Sequence, residues 1–150
     1  MQGIKRKVVY VSLYETIAIL LTGVVFYLLG FSVFDSWVAS VAASGIAVLW
    51  NLVWNTIFEY WEARQVKKGR STRRRIAHAI GFEGGLVLFL VPFFAWWLGV
   101  SLWEAFILDA GLLVFFLVYT FVFTRVFDHV FGLPASALPD SDNNLAAKKA

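Results

Sequence analysis

A glutamate embedded in an apolar run occurs twice in this chain, in the same frame. The first copy reads Lys7-Val8-Val9-Tyr10-Val11-Ser12-Leu13-Tyr14-Glu15 and the second Arg75-Ile76-Ala77-His78-Ala79-Ile80-Gly81-Phe82-Glu83. Both fit basic-x-x-(Tyr/His)-apolar-x-x-aromatic-Glu, and a long apolar run follows each. An ionisable group inside a membrane span is expensive to place there, so its presence points to function. Low-dielectric surroundings disfavour the charged form of any carboxylate. Such a group can carry a proton or hold a cation, and when it does both the two compete. That competition is the minimum requirement for proton/cation antiport, and the coupling is reciprocal. The alternative is structural: each Glu is a neutral acid hydrogen-bonded to a neighbouring helix as glue.

Other polar residues recur around these acids. Arg75, His78 and Phe82 fall on one helical face, and His78 is a candidate proton relay. Tyr10 stands in its place in the first copy and does not titrate near neutrality. Asn51, Asn55, Glu59 and Glu62 form one polar stripe, and Thr120, Thr124 and Asp128 form another. Lipid cannot satisfy such stripes, so they are expected to face the bundle. Asp109, on the same face as Thr120, is a candidate for an outward exit path. Glu59 and Asp128, at the cytoplasmic ends, are candidates either for pairing with Arg64 or Arg125 or for chemistry. Trp50, Trp54, Tyr14 and Phe82 are aromatic surfaces that could meet an organic cation, with helix packing as the ordinary alternative. Gly84 and Gly85 allow close helix approach, and Pro92 predicts a kink.

These residues need long helices to hold them. The chain has 150 residues, 60% of them hydrophobic and 15% charged, with mean hydropathy +0.73. Stretches near 8–29, 36–59, 76–98 and 103–127 are long enough to span hydrocarbon, which takes about 20 helical residues. The expectation is an all-α membrane protein, with one transmembrane domain over 1–131 and a polar, disordered tail over 132–150. Lys5-Arg6-Lys7 before an apolar run resembles a signal peptide, but Glu15 interrupts the run and no small-x-small cleavage site ends it, so it reads as a retained first helix. The repeat extends beyond the acids. Trp50, Asn51, Trp54, Asn55, Phe58 and Glu59 line up with Tyr119, Thr120, Phe123, Thr124, Phe127 and Asp128. Two copies of a two-helix hairpin result, over 5–62 and 73–131. An even number of spans per copy makes the repeats parallel. Gly30 and Gly99 end spans one and three. Ser32 or Asp35 can cap span two, and Ser101 span four.

The net charge of +3 is not spread evenly. All 13 Lys and Arg lie before span one, between spans two and three, or at and after the end of span four. The turns near 30–36 and 99–104 carry Asp35 and Glu104 and no basic residue. The positive-inside rule then places both termini and the central loop in the cytoplasm. The basic loop reads as a topology determinant in contact with lipid headgroups, not a nucleic-acid site. With no cysteine, disulfides and Cys-based metal sites are excluded. No nucleotide loop, paired-histidine metal motif or nucleophile elbow occurs, so neither an enzyme nor a cofactor protein is expected.

Arg75-x-x-His78-Ala79-Ile80-Gly81-Phe82-Glu83-Gly84-Gly85 resembles the signature of the proteobacterial antimicrobial compound efflux family, built from two bacterial transmembrane pair domains. Trp50-Asn51 with Phe58-Glu59, and Asp109-x-Gly111 with Tyr119-Thr120, Phe123 and Asp128, look like its other motifs. The resemblance covers about residues 5–131. It implies an inner-membrane, proton-driven exporter of cationic biocides such as chlorhexidine and acridines, with short diamines as further substrates. Glu15 falls on the first-helix acid that the family uses in coupling. Lys7, Tyr10 and Tyr14 depart from the family's Arg, His and Phe. Four helices are few to enclose a drug-sized cavity, so a homodimer is expected, and one fixed orientation makes it parallel. The competing expectation is a non-transporting assembly or regulatory protein of the membrane.

Overall fold

The computed structural model describes residues 2–67 and 71–134. Among them every regular element is a helix: α1 (Gly3–Leu28), α2 (Val33–Ala63), α3 (Thr72–Leu98) and α4 (Leu102–Phe131). Each is long and apolar enough to cross a membrane. The helices overrun the expected spans, most clearly at the ends that carry the basic residues. Their 26 to 31 residues exceed the roughly 20 that hydrocarbon requires, so the extra turns reach into the headgroup layer. The tail expected over 132–150 lies, from residue 135 on, outside the described residues.

The helix ends follow capping chemistry. Ser32, not Asp35, is the cap of α2, accepting the Asp35 N–H at 3.0 Å. Ser71 caps α3 by accepting the Arg74 N–H. Ser101 and Glu104 form a reciprocal capping box on α4: the Glu104 N–H donates to Ser101 Oγ at 3.1 Å, and the Ser101 N–H donates to Glu104 Oε2 at 3.3 Å. Gly30 and Gly99 take positive φ just past α1 and α3, where a Cβ would be strained. Pro92 lies inside α3, which stays helical on both sides of it.

The described chain forms two compact units. The first holds residues 2–18 of α1 with residues 112–134 of α4 and beyond. The second holds residues 19–111: the rest of α1, all of α2 and α3, and the start of α4.

In the second unit, Phe26 and Phe94 are fully buried and meet edge to face at 5.4 Å between ring centres. They occupy equivalent places in the two repeats, 68 positions apart (26 to 94). Ser40 Oγ donates to the Ile19 carbonyl at 2.6 Å and ties α2 to α1. The closest approach is between α2 and α3. Trp50 and Trp54 stack at 5.7 Å and lie across the α3 backbone. Their Nε1–H groups donate to the carbonyls of Phe82 (2.9 Å) and His78 (3.0 Å). Gly85 sits under Trp50 and Gly81 under Trp54, and a Cβ at either would fall inside the indole ring. The expectation for Gly84-Gly85 is therefore corrected in part. Gly84 faces open space, and the glycine that works with Gly85 is Gly81, one helical turn earlier.

Gly81→Ala and Gly85→Ala should each lower stability by about 1–3 kcal/mol, the cost of overpacking, because the indole must swing away and give up its hydrogen bond. Gly84→Ala should cost nothing. Thermal unfolding in detergent micelles, with Gly84→Ala as reference, checks the ordering.

Candidate functional site

The first unit is a ladder between α1 and α4. Arg6 pairs with Asp128, Tyr10 shares a hydrogen bond with Thr124 at 2.9 Å, and Tyr14 shares one with Thr120 at 2.8 Å. Each four-residue step forward on α1 meets a four-residue step back on α4, as an antiparallel helix pair requires. Aromatic rings fill the space beside the rungs. Tyr10 meets Phe123 and Phe127 edge on, Tyr14 meets Phe123 edge on and Tyr119 tilted, all at 4.9–5.3 Å. Tyr119 Oη donates to the Tyr14 carbonyl at 2.8 Å. Glu15 is half-buried on α1, within electrostatic reach of the Tyr14 and Tyr119 phenols.

Arg6 closes the ladder at its basic end. It is 8% exposed, lies over the Phe127 ring at 4.9 Å and donates to the Gly132 carbonyl as well as to Asp128. The pairing suggested for Asp128 is corrected here: its partner is Arg6, while Arg125 lies over Phe121. The physical reason is burial. Arg6 is withdrawn from solvent while Asp128 is half-buried beside it, and a desolvated charge needs its partner more than an exposed one does. Likewise Arg64 stays on its own helix, over the Tyr60 ring and bonded to its hydroxyl.

The second unit repeats this interface with different chemistry. His78 Nε2 shares a hydrogen bond with Asn55 Oδ1 at 2.8 Å, at the positions of Tyr10 and Thr124. Phe58 meets the His78 ring edge on at 4.8 Å, as Phe127 meets Tyr10. The bond from Trp50 to the Phe82 carbonyl occupies the place of that from Tyr119 to the Tyr14 carbonyl. The next rung differs. Asn51 stands for Thr120, but Phe82 has no hydroxyl to offer, and Asn51 instead accepts from Asn55 Nδ2 at 2.9 Å.

The expected site residues thus divide between the units. Glu15, Tyr10, Tyr14 and Thr120 belong to the first. Glu83, Asp109, His78, Arg75, Asn51, Asn55, Trp50, Trp54 and Phe82 belong to the second. Glu83 is half-buried, and Asp109, 8% exposed, is close enough for the two carboxyl charges to interact. Arg75 is exposed on α3. Asn51 and Thr120 are exposed at their helix surfaces yet bonded. The sequence reading passed over Arg6, hidden among three consecutive basic residues. Its signal was the repeat itself: Arg6 matches Arg74 and leads the ladder's four-residue steps. Gly81 was missed too, although it lies on one α3 face with Gly85.

An all-helical protein with four spans and carboxylates set within them is an integral membrane protein of the transporter type. The profile described as chlorhexidine efflux transporter matches twice, over residues 2–64 and 70–133. The chain belongs to that family, the proteobacterial antimicrobial compound efflux family, with its tandem domains. Three short-chain diamines transporters are similar to it. That of Acinetobacter baylyi is 38% identical over 121 residues, 77% of this chain and 82% of that protein. That of Vibrio parahaemolyticus is 35% identical over 96 residues, covering 64% and 68%. That of Acinetobacter baumannii is 34% identical over 127 residues, covering 84% and 88%. No solved structure matches the chain.

Arg6→Gln should destabilise the protein by about 3 kcal/mol or more, since it strands Asp128 without its buried counter-charge. Lys5→Gln and Lys7→Gln, at exposed positions, should change stability by less than about 0.5 kcal/mol. Arg6→Lys should recover only part, because an ammonium lacks the planar fork that serves two acceptors. Unfolding midpoints of the four variants in micelles give the comparison.

Proposed function

We propose that this protein exports organic cations across the bacterial inner membrane in exchange for protons, with Glu15 as the group on which proton and cation compete. The observation that carries this reading is the setting of Glu15. Glu15 is half-buried in an apolar span, and its charge reaches the phenols of Tyr14 and Tyr119, two rings of a cluster completed by Phe123. A carboxylate supplies charge and aromatic faces supply cation–π contact. Together they suit a cation that also carries apolar surface.

The family description and the relatives' names point to the same chemistry. Chlorhexidine and short diamines are both cationic, and acridines share that charge with a larger ring surface. Glu83 and Asp109 are the further acids of the pathway, and His78 and Arg75 lie on the same helix as Glu83. Phe82, Trp50 and Trp54 offer rigid aromatic surface in the second unit, since both indoles are held by their Nε1–H bonds. The basic residues set the orientation, with both termini in the cytoplasm. A parallel homodimer would supply the enclosure that four helices lack.

Vesicles with an imposed pH gradient and a fluorescent acridine test the exchange. Wild type should move the dye. Glu15→Gln, at matched expression, should slow it by about tenfold or more, the effect of removing a coupling of about 1.4 kcal/mol. Glutamine keeps the hydrogen-bonding shape of a neutral acid and cannot titrate. Equal transport by the two would move the coupling to Glu83 or Asp109. Absence of transport by folded wild type across several cations would return the acids to the role of helix glue.

A further inference from the structure

The equivalent rungs of the two units differ in one chemical respect. Tyr10 and Thr124 are both hydroxyls, and either can be the donor. The rung between His78 and Asn55 reverses only if two amides, those of Asn55 and Asn51, both turn. Asn55 Nδ2 is committed to Asn51 Oδ1 at 2.9 Å, so the atom that Asn55 turns to the imidazole is its oxygen, at 2.8 Å from Nε2. An amide oxygen only accepts. Nε2 must then carry the hydrogen, and in the neutral ring Nδ1 is the bare, basic nitrogen.

The ring is also held in place. Trp54 bonds the His78 carbonyl, Trp54 and Phe58 pack on the imidazole, and Asn55 holds its Nε2. None of these α2 side chains titrates. The charged groups closest in sequence on the two helices are Glu59 and Glu62 on α2, and Arg73, Arg74, Arg75 and Glu83 on α3. The amide orientation has a second consequence. An imidazolium donates from both nitrogens, so an acceptor at Nε2 suits the neutral and the protonated ring alike. Taking up a proton at Nδ1 therefore disturbs nothing at the Asn55 bond. The opposite orientation would put two donors face to face.

We propose that Asn55, oriented by Asn51, is a positioning residue that holds His78 as the Nε2–H tautomer and presents Nδ1 as the proton-accepting atom of the α2–α3 interface. The proton-handling imidazole then belongs to the second unit alone, while the equivalent rung of the first is a hydroxyl pair. The use of Nδ1 in transport rests on the exchange function proposed above. The tautomer does not, and the tautomer is what the experiment reads.

The chain has two histidines, and His129, exposed near the end of α4, serves as the internal reference. Nitrogen-15 spectra of histidine-labelled protein in micelles, at a pH where both rings are neutral, distinguish bare from protonated ring nitrogens. His78 should favour Nε2–H over Nδ1–H by about tenfold more than His129 does, the ratio of one good hydrogen bond. Asn55→Asp, which can only accept when ionised, should keep that preference. Asn55→Leu should return His78 to the His129 ratio. Should Asn55→Leu fail to fold, Asn55→Thr replaces it: threonine is the residue at the equivalent position of the first unit, and its hydroxyl donates or accepts, so the preference should again fall. A His78 ring bare at Nε2 in wild type would overturn the assignment. So would a preference that survives Asn55→Leu, or Asn55→Thr where that variant replaces it. Neither result would bear on whether Glu15 couples transport.

Discussion

Hydrocarbon offers no hydrogen bonds, and that constraint organises the polar residues of this protein. A tyrosine, threonine, asparagine or arginine placed in a span has to find its partner on another helix or along its own. The α1–α4 ladder is the direct result. Tyr10, Tyr14 and Arg6 recur every four residues, a step that keeps them on one face. Thr124, Thr120 and Asp128 answer with the same step because α4 runs the other way. The aromatic rings beside the rungs cover the part-buried Tyr10–Thr124 contact, and low-dielectric surroundings strengthen a polar contact and raise the cost of leaving one unmade. Glu15 is set beside this ladder, so its surroundings are built by the same requirement that built the helix pair.

Duplication copied the geometry of the interface, and divergence then changed its chemistry by matched exchanges. Where the second unit has Trp50 over Gly85 and Trp54 over Gly81, the equivalent positions of the first unit hold Tyr119 with Ile17 and Phe123 with Leu13. A larger ring goes with a bare backbone, and a smaller ring with a branched side chain. Such exchanges conserve volume, and volume-conserving changes are the ones a packed interface tolerates best. The donor-to-carbonyl bond persists through the exchange, made by an indole N–H in one case and a phenol O–H in the other. What does not persist is the rung chemistry, since the position of the His78 imidazole in one unit is held by the Tyr10 phenol in the other.

Much of this was legible in the residues. Hydropathy located the four spans, because the demand for about 20 apolar residues leaves little choice. Ser32, Ser101, Gly30 and Gly99 announced helix ends through caps whose chemistry is local. The repeated acid frame located Glu15 and Glu83. Partners were harder to read, because pairing across helices depends on register, which no single helix contains. Arg6 shows the difficulty. Beside Lys5 and Lys7 it reads as one more headgroup contact, and only the position of α4 reveals it as a buried charge. Asn55 shows the same limit in another form. Its place in a polar stripe was evident, but which end of the amide meets His78 is decided by Asn51, through the rung that Phe82 cannot form.

The difference between the rungs bears on what each acid can do. A hydroxyl pair such as Tyr10 and Thr124 reverses its polarity by rotating two hydrogens, with no heavy atom moving. An acid beside it can gain or lose charge while its neighbours reorient at little cost. The chain from His78 through Asn55 to Asn51 has a direction, and reversing it means turning two amides. Its polarity is therefore set by heavy atoms and not by rotating hydrogens, whatever proton its imidazole holds. Under the exchange proposed above, Glu15 shares its helix with rungs that reorient by rotating hydrogens, whereas the His78 rung, as proposed, offers a proton one defined atom. Two copies of one hairpin supply both settings without any change of fold.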